Sequence, residues 1–552
     1  MINTEITNKI KNVEVVSFDI FDTLLIRPYI KPTDLFLQID DIYNIKFSTY
    51  RKLAEKKAWK NLHKQKSDKE DITIYDIYKF MPKNLQNYLE KEIDLEEKIL
   101  IKNPETIEIL EFAKNSGKKI IITSDMYLPE NIIIDILNIN NIYYDKLYLS
   151  NVFSKRKDSG NLYKFIQKEL DIPYNKIFHI GDNEYSDVKI PKNLGIITEK
   201  YTNIIKEFFA QNSKYELFYK NNLSASISFL LASGIFSYYF SKITNYWNKI
   251  GCTVGGPICF AYLNKISQSA KMHNINNLLF IARDGYTLQK IYDMCFKSDE
   301  NTKYIYAPRN IKHFIDNNKE QALINEYSSY IKNLNISNTN IGIIDTISNS
   351  LSAQTLIEKF SNSKKIIGYY FAILNKKKEN IIKNKNFESF LPVMKKLSYA
   401  NFIEFLISAP EKPIKWVEHN KPIYDENLSE YEKTKIELYS TISEAEIEYA
   451  KFITPTIKNI ELPYSEKDID KFIKFFENNP TEEDIQEFKQ IKNGIDTNNS
   501  NYVYIFPEWY YKKYKIFNIP IITIKENYKK LSIKFLGIKI YEKSNINNNC
   551  KL

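Results

Sequence analysis

Residues 13–26, VEVVSFDIFDTLLI, constrain the fold more than any other stretch of this chain. The stretch begins with β-branched and aromatic residues, a pattern that predicts a buried strand. It runs directly into a loop that carries two carboxylates, Asp19 and Asp22. The sequence therefore places candidate reactive groups at the C-terminal end of a buried strand.

Helices and strands alternate through the first two hundred residues. Residues 33–100 are helical in pattern, with apolar residues at three- and four-residue spacing, and we expect them to form a helical insertion. Three more strands follow, separated by helical stretches: KKIIIT, KLYLS and KIFHIGD. This alternation predicts an α/β domain over residues 1–200, with a Rossmann-type, doubly wound parallel sheet.

The remaining residues are expected to form further domains, because a chain of 552 residues exceeds what one hydrophobic core usually organises. Residues 201–225 are expected to be a linker. Residues 226–415 predict a second α/β domain, with the strands NNLLFIA, TKYIYA, NIGIIDT and KIIGYYFAIL. Residues 416–500 predict a helical segment, and the Tyr-, Ile- and Lys-rich residues 501–552 predict a short, basic, β-rich tail.

The composition indicates which binding partners and which cellular compartment to expect. The net charge is +10, but the 78 basic and 68 acidic residues are interspersed, so nucleic acid is not an expected partner. The four cysteines show no disulfide or zinc-finger spacing and the start has no apolar signal-peptide core, which favours a cytoplasmic protein. The apolar run from Ile227 to Phe240 is too short to span a bilayer. The apolar stripes of the tail are expected to pack on the second domain, and they leave peripheral membrane contact as an alternative.

The ends of the predicted strands carry groups that suit phosphoryl transfer. Because these ends meet in a doubly wound sheet, we expect one crevice to contain Asp19, Asp22, Thr123, Ser124, Lys157, Asp182 and Asp187. A carboxylate can attack phosphorus to give an aspartyl-phosphate. Further carboxylates can hold Mg²⁺, while a hydroxyl and an ammonium bind the remaining phosphoryl oxygens.

The strings FDIFDTL, ITSDMY, KDSG and GDNEYSD resemble, in order, the four motifs of the haloacid dehalogenase superfamily. The resemblance implies that Asp19 is the nucleophile and also binds the metal. It implies that the Ser124 hydroxyl binds phosphate and that the Lys157 ammonium stabilises charge. The further metal ligands that it implies are Asp182, Asp187 and the backbone carbonyl of Phe21. Thr123 and Lys155 are near rivals of Ser124 and Lys157. The insertion at 33–100 takes the place of the superfamily's cap.

Residues 13–415 also resemble a narrower group, long hydrolases of this superfamily encoded among bacterial surface-polysaccharide genes. The strings that carry this resemblance include SFDIFDTLLIRP, TSDMYLPENI, HIGDNEYSD, FIARDGYTLQKIY and NFIEFLISAP. It implies a role in the assembly of capsule or lipopolysaccharide. The leading hypothesis is a Mg²⁺-dependent phosphatase or phosphotransferase that acts on a small phosphorylated metabolite, with a sugar phosphate or a nucleotide sugar as candidates.

Motif one departs from the superfamily's phosphatases, which usually carry a general acid and base two residues after the nucleophile. Phe21 occupies that position and Asp22 comes one residue later. Three alternatives stay open: Asp22 swings in, the substrate or the cap supplies the proton donor, or turnover is slow. Dehalogenases of the superfamily also carry an aromatic residue there, although the intact carboxylates of motif four favour phosphate chemistry.

The second predicted domain carries charged residues at strand ends. Arg283 and Asp284 follow one strand, Arg309 follows another, and Asp345 lies in GIIDTISNS. These four residues are candidates for binding a phosphorylated or nucleotide sugar. Structural alternatives are an Arg283–Asp345 pair that ties two loops together, and an Asp284-Gly285 turn that caps a helix. Glu404 is a further candidate acid, although a solvated helix residue is the simpler interpretation.

Two other functions compete with the leading hypothesis. In one, the second domain is a transferase that builds the glycan, and the first domain is a weak or regulatory phosphohydrolase. In the other, the chain is a binding scaffold whose catalysis has decayed, for which Phe21 is the best evidence in the sequence.

Overall fold

A computed structural model describes residues 2–65, 68–374, 385–394, 399–457, 461–489, 491–494, 502–505, 510–516, 519–526, 530–536 and 538–544. The chain forms two compact units. The first unit comprises Met1–Lys242 and Phe452–Tyr464, and the second comprises Ile243–Lys451 and Ser465–Leu552.

A five-stranded parallel sheet lies at the centre of the first unit. The strands of this unit are β1 Val15–Phe18, β2 Leu25–Ile26, β3 Ile101–Lys102, β4 Lys119–Ser124, β5 Lys146–Leu149, β6 Ile177–Gly181 and β7 Ile197–Lys200. The sheet order is β5-β4-β1-β6-β7, and every neighbouring pair is parallel. All four side chains of β1 are buried, as is usual for a strand that is covered on both faces. The predicted doubly wound parallel sheet is confirmed.

The strand order places the polar ends of three strands side by side. The chain passes from β1 to β4 and β5 on one side, and then returns to β6 and β7 on the other side of β1. This reversal is a topological switch point, where the carboxyl ends of the strands border a crevice.

Thirteen α-helices are described in the first unit's Met1–Lys242 segment: Thr4–Lys11, Leu35–Tyr43, Phe47–Lys64, Ile74–Tyr78, Leu89–Ile99, Pro104–Asn115, Glu130–Ile139, Ser150–Phe153, Asn161–Leu170, Ile190–Leu194, Ile204–Gln211, Ser213–Asn221 and Ala225–Ser241. The four from Leu35 to Ile99 lie between β2 and β3, which pair antiparallel and close the base of the helical insertion. Across the described ranges, no helix combines the length and the apolar character that crossing a membrane requires.

The segment 201–225 is helical rather than an open linker. Its two helices bury aromatic side chains, among them Phe208 and Tyr215, and the Tyr219 hydroxyl donates to Oδ2 of Asp34 at 2.7 Å. These contacts tie the segment to the first unit, and the boundary between the compact units follows Lys242. The division of the chain by function stays a prediction.

A second parallel sheet organises the second unit. Its strands are β8 Asn277–Ile281, β9 Asn301–Ile305, β10 Asn340–Ser348, β11 Lys365–Ile373 and β12 Phe387–Ser389. The order is β12-β11-β10-β8-β9, and all pairs are parallel. The chain reverses direction between β8 and β10, so the second unit has its own switch point. A Cβ atom on Gly285 would lie 2.7 Å from the carbonyl carbon of Phe280, so the turn after β8 needs a glycine.

Other elements surround the second sheet. The described α-helices are Tyr246–Ile250, Gly256–Met272, Gly285–Cys295, Arg309–Asp316, Gln321–Asn333, Ser352–Phe360, Ala400–Leu406, Glu430–Ile457, Glu466–Asn478 and Glu482–Phe488, the eighth of which continues into the first unit. The antiparallel strands are β13 Ile414–Glu418, β14 Lys421–Tyr424, β15 Lys492–Gly494, β16 Tyr502–Tyr504, β17 Tyr510–Ile516, β18 Ile519–Glu526, β19 Lys530–Phe535 and β20 Ile538–Ser544. The strands β17 to β20 form one four-stranded sheet, in agreement with the β-rich tail that the sequence predicts.

Candidate functional site

The switch point of the first sheet brings together residues from three strand ends. Asp19 directly follows β1, Ser124 is the last residue of β4, and Asp182 follows the last residue of β6. The backbone N–H of Asp19 donates to the carbonyl of Ile180 at 2.9 Å, which fixes the first carboxylate against β6. Asp19 is 6% exposed, so its side chain lies in the floor of the crevice.

Lys157 supplies a buried positive charge in this floor. Its Nζ lies 2.6 Å from Oδ1 of Asp19 and 2.6 Å from Oδ1 of Asp187. Its backbone N–H donates to Oδ1 of Asp125 at 2.9 Å, which orients the loop after β5. Burial alone would lower the pKa of Lys157, but Asp187 and Asp19 raise it well above its usual value. The structure thus brings Lys157 into contact with the predicted nucleophile.

Three carboxylates have the spacing of a metal site. Asp19, Asp182 and Asp187 each present a ligand atom, and these atoms all lie within 4.8 Å of one another. A Cβ atom on Gly181 would lie 2.5 Å from Cγ of Asp187, so only glycine lets Asp187 fold back against the end of β6. Carboxylate oxygens are the ligands that hard cations such as Mg²⁺ prefer, so the donor set fits this ion.

Burial and neighbouring charges shift the pKa values of these three acids. Burial raises the pKa of Asp182 to about 8, with further contributions from Asp19, Asp22 and Asp187. Burial also raises the pKa of Asp19, although Lys157 opposes that change. The pKa of Asp187 moves the other way, since Lys157 and His179 outweigh the effect of its burial. A divalent cation at these carboxylates would favour their ionised forms.

A series of buried polar side chains extends from Asp187 into the sheet. His179 on β6 has Nε2 3.2 Å from Oδ1 of Asp187 and Nδ1 2.8 Å from the hydroxyl of Ser17, which lies 2.9 Å from the hydroxyl of Thr123. Both ring nitrogens of His179 therefore have hydrogen-bonding partners. Since the Thr123 hydroxyl is engaged in this series, Ser124 is the better candidate for binding phosphate.

Asp22 adopts a left-handed backbone conformation with φ of 57°, which asparagine and aspartate tolerate better than most residues. Its Oδ2 lies 3.8 Å from Nη1 of Arg27, and burial raises its pKa despite that cation. Arg27 donates to Glu96 at 2.6 Å and stacks on Phe21, with its Cζ 4.1 Å from the ring centre. Glu96 lies on an insertion helix, so the insertion reaches the first motif. The Phe21 carbonyl as a metal ligand stays a prediction.

The insertion is also bonded to the loop that carries Lys157. Glu70 accepts hydrogen bonds from the Arg156 backbone N–H at 2.9 Å and from the Ser159 hydroxyl at 2.6 Å. Asp71 accepts from Arg156 Nη1 at 3.1 Å and from the hydroxyl of Ser150. The sequence patterns did not identify Glu70, Asp71 or Glu96 as residues that contact the site. The scarcity of arginine could have pointed to them, because only five arginines occur in the chain. Two of the five, Arg27 and Arg156, are the partners of these acids.

The four candidates of the second unit lie around its own switch point. Asp284 follows β8 and accepts a hydrogen bond from the hydroxyl of Thr346 on β10, next to Asp345. Asp284 makes no side-chain cap to the helix that it precedes. Arg283 pairs with Glu432 rather than with Asp345. Neither structural alternative that the sequence offered for these residues therefore describes the contacts.

Two solved structures described below are similar to part of this chain at low sequence identity. No protein-family model and no curated protein matches the chain. An L-2-haloacid dehalogenase from Xanthobacter autotrophicus, with chloropropionic acid covalently bound, is similar at 12% identity and a TM-score of 0.28, over 36% of this chain and 81% of that chain. A HAD family enzyme from Bacteroides thetaiotaomicron, in complex with magnesium and inorganic phosphate, is similar at 15% identity and a TM-score of 0.24, over 34% of this chain and 94% of that chain. The assignment of a reaction therefore rests on the residues of the site.

Proposed function

We propose that the first unit is a Mg²⁺-dependent hydrolase of the haloacid dehalogenase type, a phosphatase or phosphotransferase with Asp19 as its nucleophile. The observation that carries this proposal is the position of Lys157 Nζ, 2.6 Å from the carboxylates of both Asp19 and Asp187. With Asp182 at metal-ligand spacing, this arrangement can bind one cation and one phosphoryl group.

The chemistry would proceed in two displacements at phosphorus. A carboxylate oxygen of Asp19 forms a bond to phosphorus while the bond to the ester oxygen breaks, which gives an aspartyl-phosphate and an alcohol. Water then attacks the same phosphorus, which releases inorganic phosphate and regenerates the carboxylate; in a phosphotransferase an acceptor hydroxyl replaces the water. Lys157 and the Ser124 hydroxyl would hold the phosphoryl oxygens during both steps.

The metal ligands would be Asp19, Asp182, Asp187 and the backbone carbonyl of Phe21. Bound Mg²⁺ supplies positive charge next to the phosphoryl oxygens and orients them for in-line attack. Asp182 must lose its proton to serve as a ligand, and its raised pKa is a property of the site without a cation.

The leaving oxygen needs a proton donor, and Phe21 cannot supply one at the position where a general acid is usual. Asp22 is the candidate within the motif, because burial raises the pKa of its carboxyl and so favours the protonated form that a proton donor needs. Its Oδ2 lies 3.8 Å from Nη1 of Arg27, so Asp22 would have to turn away from this cation if it is to donate to a leaving group. The substrate or the insertion could donate the proton instead.

We further propose that the substrate is a small phosphorylated metabolite, such as a sugar phosphate used in surface-polysaccharide assembly, and that the enzyme is cytoplasmic. This part of the proposal is supported by the resemblance of residues 13–415 to hydrolases encoded among such genes. Selectivity would come from the insertion, whose acids Glu70, Asp71 and Glu96 contact the loops of the crevice.

Assays with a panel of phosphate esters test this function. The wild-type protein should release phosphate with Mg²⁺ and not with EDTA, and Asp19→Asn should release none above background. Asp135→Asn, which changes an exposed carboxylate on the helix Glu130–Ile139, is the matched control and should keep wild-type activity. Equal phosphate release by wild type and Asp19→Asn would refute the proposal. Metal-independent release of chloride from 2-chloropropionate would instead support dehalogenation, the alternative that Phe21 favours.

A further inference from the structure

The second unit contains a concentration of charge that the proposed phosphotransfer site does not use. Asp284 lies at the end of β8 and Asp345 lies on β10, on the two strands that border the switch point, and the Thr346 hydroxyl joins them by donating to Asp284. Parallel α/β sheets bind ligands at such points, because the strand ends and the loops leave a crevice there. Asp284 and Asp345 are both half-buried residues.

A cleft beside these strand ends is lined by charged and aromatic residues. Arg283, Glu404 and Lys435 line it together with Phe405 and Tyr439. Its cavity is about 10 Å³, which is room for about one water molecule. A phosphate group therefore cannot enter the cleft, and only a small group such as a hydroxyl fits inside. Any larger anionic part of a ligand must lie at the mouth.

The cations inside the cleft already have partners. Arg283 pairs with Glu432, and Lys435 Nζ lies 3.1 Å from Oε2 of the same carboxylate. Burial lowers the pKa of Lys435, although Glu432 opposes that change. These two cations are held by the protein itself and are not available as the main binding groups for an anion.

Arg309 differs from the other four arginines of the chain. Arg27, Arg51, Arg156 and Arg283 all form ion pairs with carboxylates. Among the residues that the structure describes, Arg309 has neither an ion-pair nor a hydrogen-bond partner, and its side chain is exposed at the start of the helix Arg309–Asp316. Arg309 begins the helix that follows β9, and β9 pairs in parallel with β8, so Arg309 lies at the same edge of the sheet as Asp284 and Asp345. Its charge opposes the rise in the pKa values of Asp284, Asp345 and Glu404.

We propose that this switch point is a second binding site, for a small polyhydroxylated compound that carries a phosphate group, with Arg309 binding the phosphate and Asp345 and Glu404 binding hydroxyls. A guanidinium presents a planar set of donors that matches phosphate oxygens in pairs. Carboxylates accept hydrogen bonds from hydroxyl groups, and Glu404 lines the narrow cleft. The ligand chemistry is shared by a sugar phosphate and a nucleotide sugar.

The acids of this site are suited to proton transfer as well as binding. Burial and the neighbouring Asp284 raise the pKa of Asp345 and that of Glu404 to about 7 each. A carboxyl group with such a pKa exchanges its proton readily at neutral pH, and it can take the proton of a bound hydroxyl that acts as an acceptor.

Calorimetric titration of the full chain tests the proposal. The parent protein is Asp19→Asn in EDTA, so that phosphate chemistry at the first site is disabled. The probes are glucose 1-phosphate and UDP-glucose, with glucose as the phosphate-free control. We expect at least one phosphorylated probe to bind, and glucose to bind far more weakly. Tighter binding of UDP-glucose would identify a nucleotide-sugar site, and equal binding of the two probes a sugar-phosphate site.

Variants at Arg309 then identify the binding group. Arg309→Ala should weaken binding about ten- to hundredfold, as expected for losing hydrogen bonds to a charged group, and Arg309→Lys should restore part of the loss. Lys312→Ala removes a cation from the same helix that pairs with Asp316, and it should leave the affinity unchanged. Because Arg309 is exposed, its substitution should not prevent folding. No binding of either phosphorylated probe to the parent, or equal affinity of the parent and Arg309→Ala, would overturn the proposal.

Discussion

The ammonium nitrogen of Lys157 lies 2.6 Å from Oδ1 of Asp19. The same nitrogen lies 2.6 Å from Asp187, so one buried cation neutralises two buried carboxylates. Removing one partner of a buried ion pair typically costs about 3 to 5 kcal/mol, because the remaining charge stays buried without compensation. The stability of the first unit should therefore depend on Lys157 and on any cation that can replace it.

The variant Lys157→Met should unfold at a clearly lower temperature than wild type in EDTA. Added Mg²⁺ should raise its unfolding temperature more than that of wild type, because the ion replaces the missing positive charge. Lys146→Met removes a cation from a partly exposed pair with Glu169, and it should change stability by less than about 1 kcal/mol. The unfolding temperatures of wild type, Lys157→Met and Lys146→Met are measured in EDTA and with Mg²⁺. Identical responses of wild type and Lys157→Met to Mg²⁺ would argue against a cation site at these carboxylates.

The role of Asp22 is testable through the leaving group. If Asp22 protonates the leaving oxygen, Asp22→Asn should slow hydrolysis of alkyl phosphates by about a hundredfold or more. It should slow hydrolysis of p-nitrophenyl phosphate much less, because that leaving group departs without a proton. Asparagine keeps the left-handed turn at this position, so the backbone should not change. Equal slowing of both substrates in kcat measurements would assign Asp22 a structural role.

The insertion should loosen when its bonds to the Lys157 loop are removed. Glu70 accepts hydrogen bonds from the Arg156 backbone, the Ser159 hydroxyl and, at 2.5 Å, the Asn161 amide. Hydrogen bonds to a charged group contribute about 1.5 to 3 kcal/mol each. Glu70→Ala should therefore speed hydrogen exchange in residues 69–73 and 154–161. Glu111→Ala, an exposed helix position, should leave that exchange unchanged. Unchanged protection in Glu70→Ala would show that other contacts hold the insertion.

The pKa of Glu404 predicts a pH dependence of stability in the second unit. Folding raises this pKa from the ordinary value of 4.5 to about 7. Between these values the unfolded chain releases the proton and the folded chain keeps it, so stability falls as the pH rises through this window and stays low above it. Glu404→Gln removes the titrating group. Allowing for the partial exposure of this carboxyl, the variant should be about 1 to 2 kcal/mol more stable than wild type at pH 8.

At pH 5 the difference between Glu404→Gln and wild type should be much smaller than at pH 8, since pH 5 lies near the lower end of this window. Glu426→Gln, a 73% exposed position, is the control and should change stability little at either pH. Unfolding curves at the two pH values make the comparison. A stability gain that is equal at pH 5 and pH 8 would contradict the raised pKa of Glu404.

The central strands of both sheets were predictable from the sequence, because they are continuous apolar runs. The strands β1, β4 and β6 end where the polar residues begin, and parallel packing alone brings Asp19, Ser124 and Asp182 together. The edge strands β7 and β12 gave no such signal, because their side chains are only partly buried or exposed and include charged residues.

Contacts made by charged helix residues were not predictable. Glu96 follows the periodicity of its helix, and only the packing of that helix shows that it pairs with Arg27. Glu404 was expected to be solvated, but its helix buries Phe402, Ile403, Phe405 and Leu406, so the glutamate lies against the cleft. Local patterns specify which face of a helix is apolar, and they do not specify which charged groups meet across elements.

The central claim is that Asp19, Ser124, Lys157 and Asp182 act on one cation and one phosphoryl group. A crystal structure of the protein with Mg²⁺ and beryllofluoride, a mimic of the phosphoryl group on an aspartate, tests it most directly. We predict beryllofluoride bonded to Asp19, its fluorines contacting Lys157 and Ser124, and Mg²⁺ bound by Asp19 and Asp182. Beryllofluoride absent from Asp19, or Mg²⁺ bound away from these carboxylates, would contradict the account.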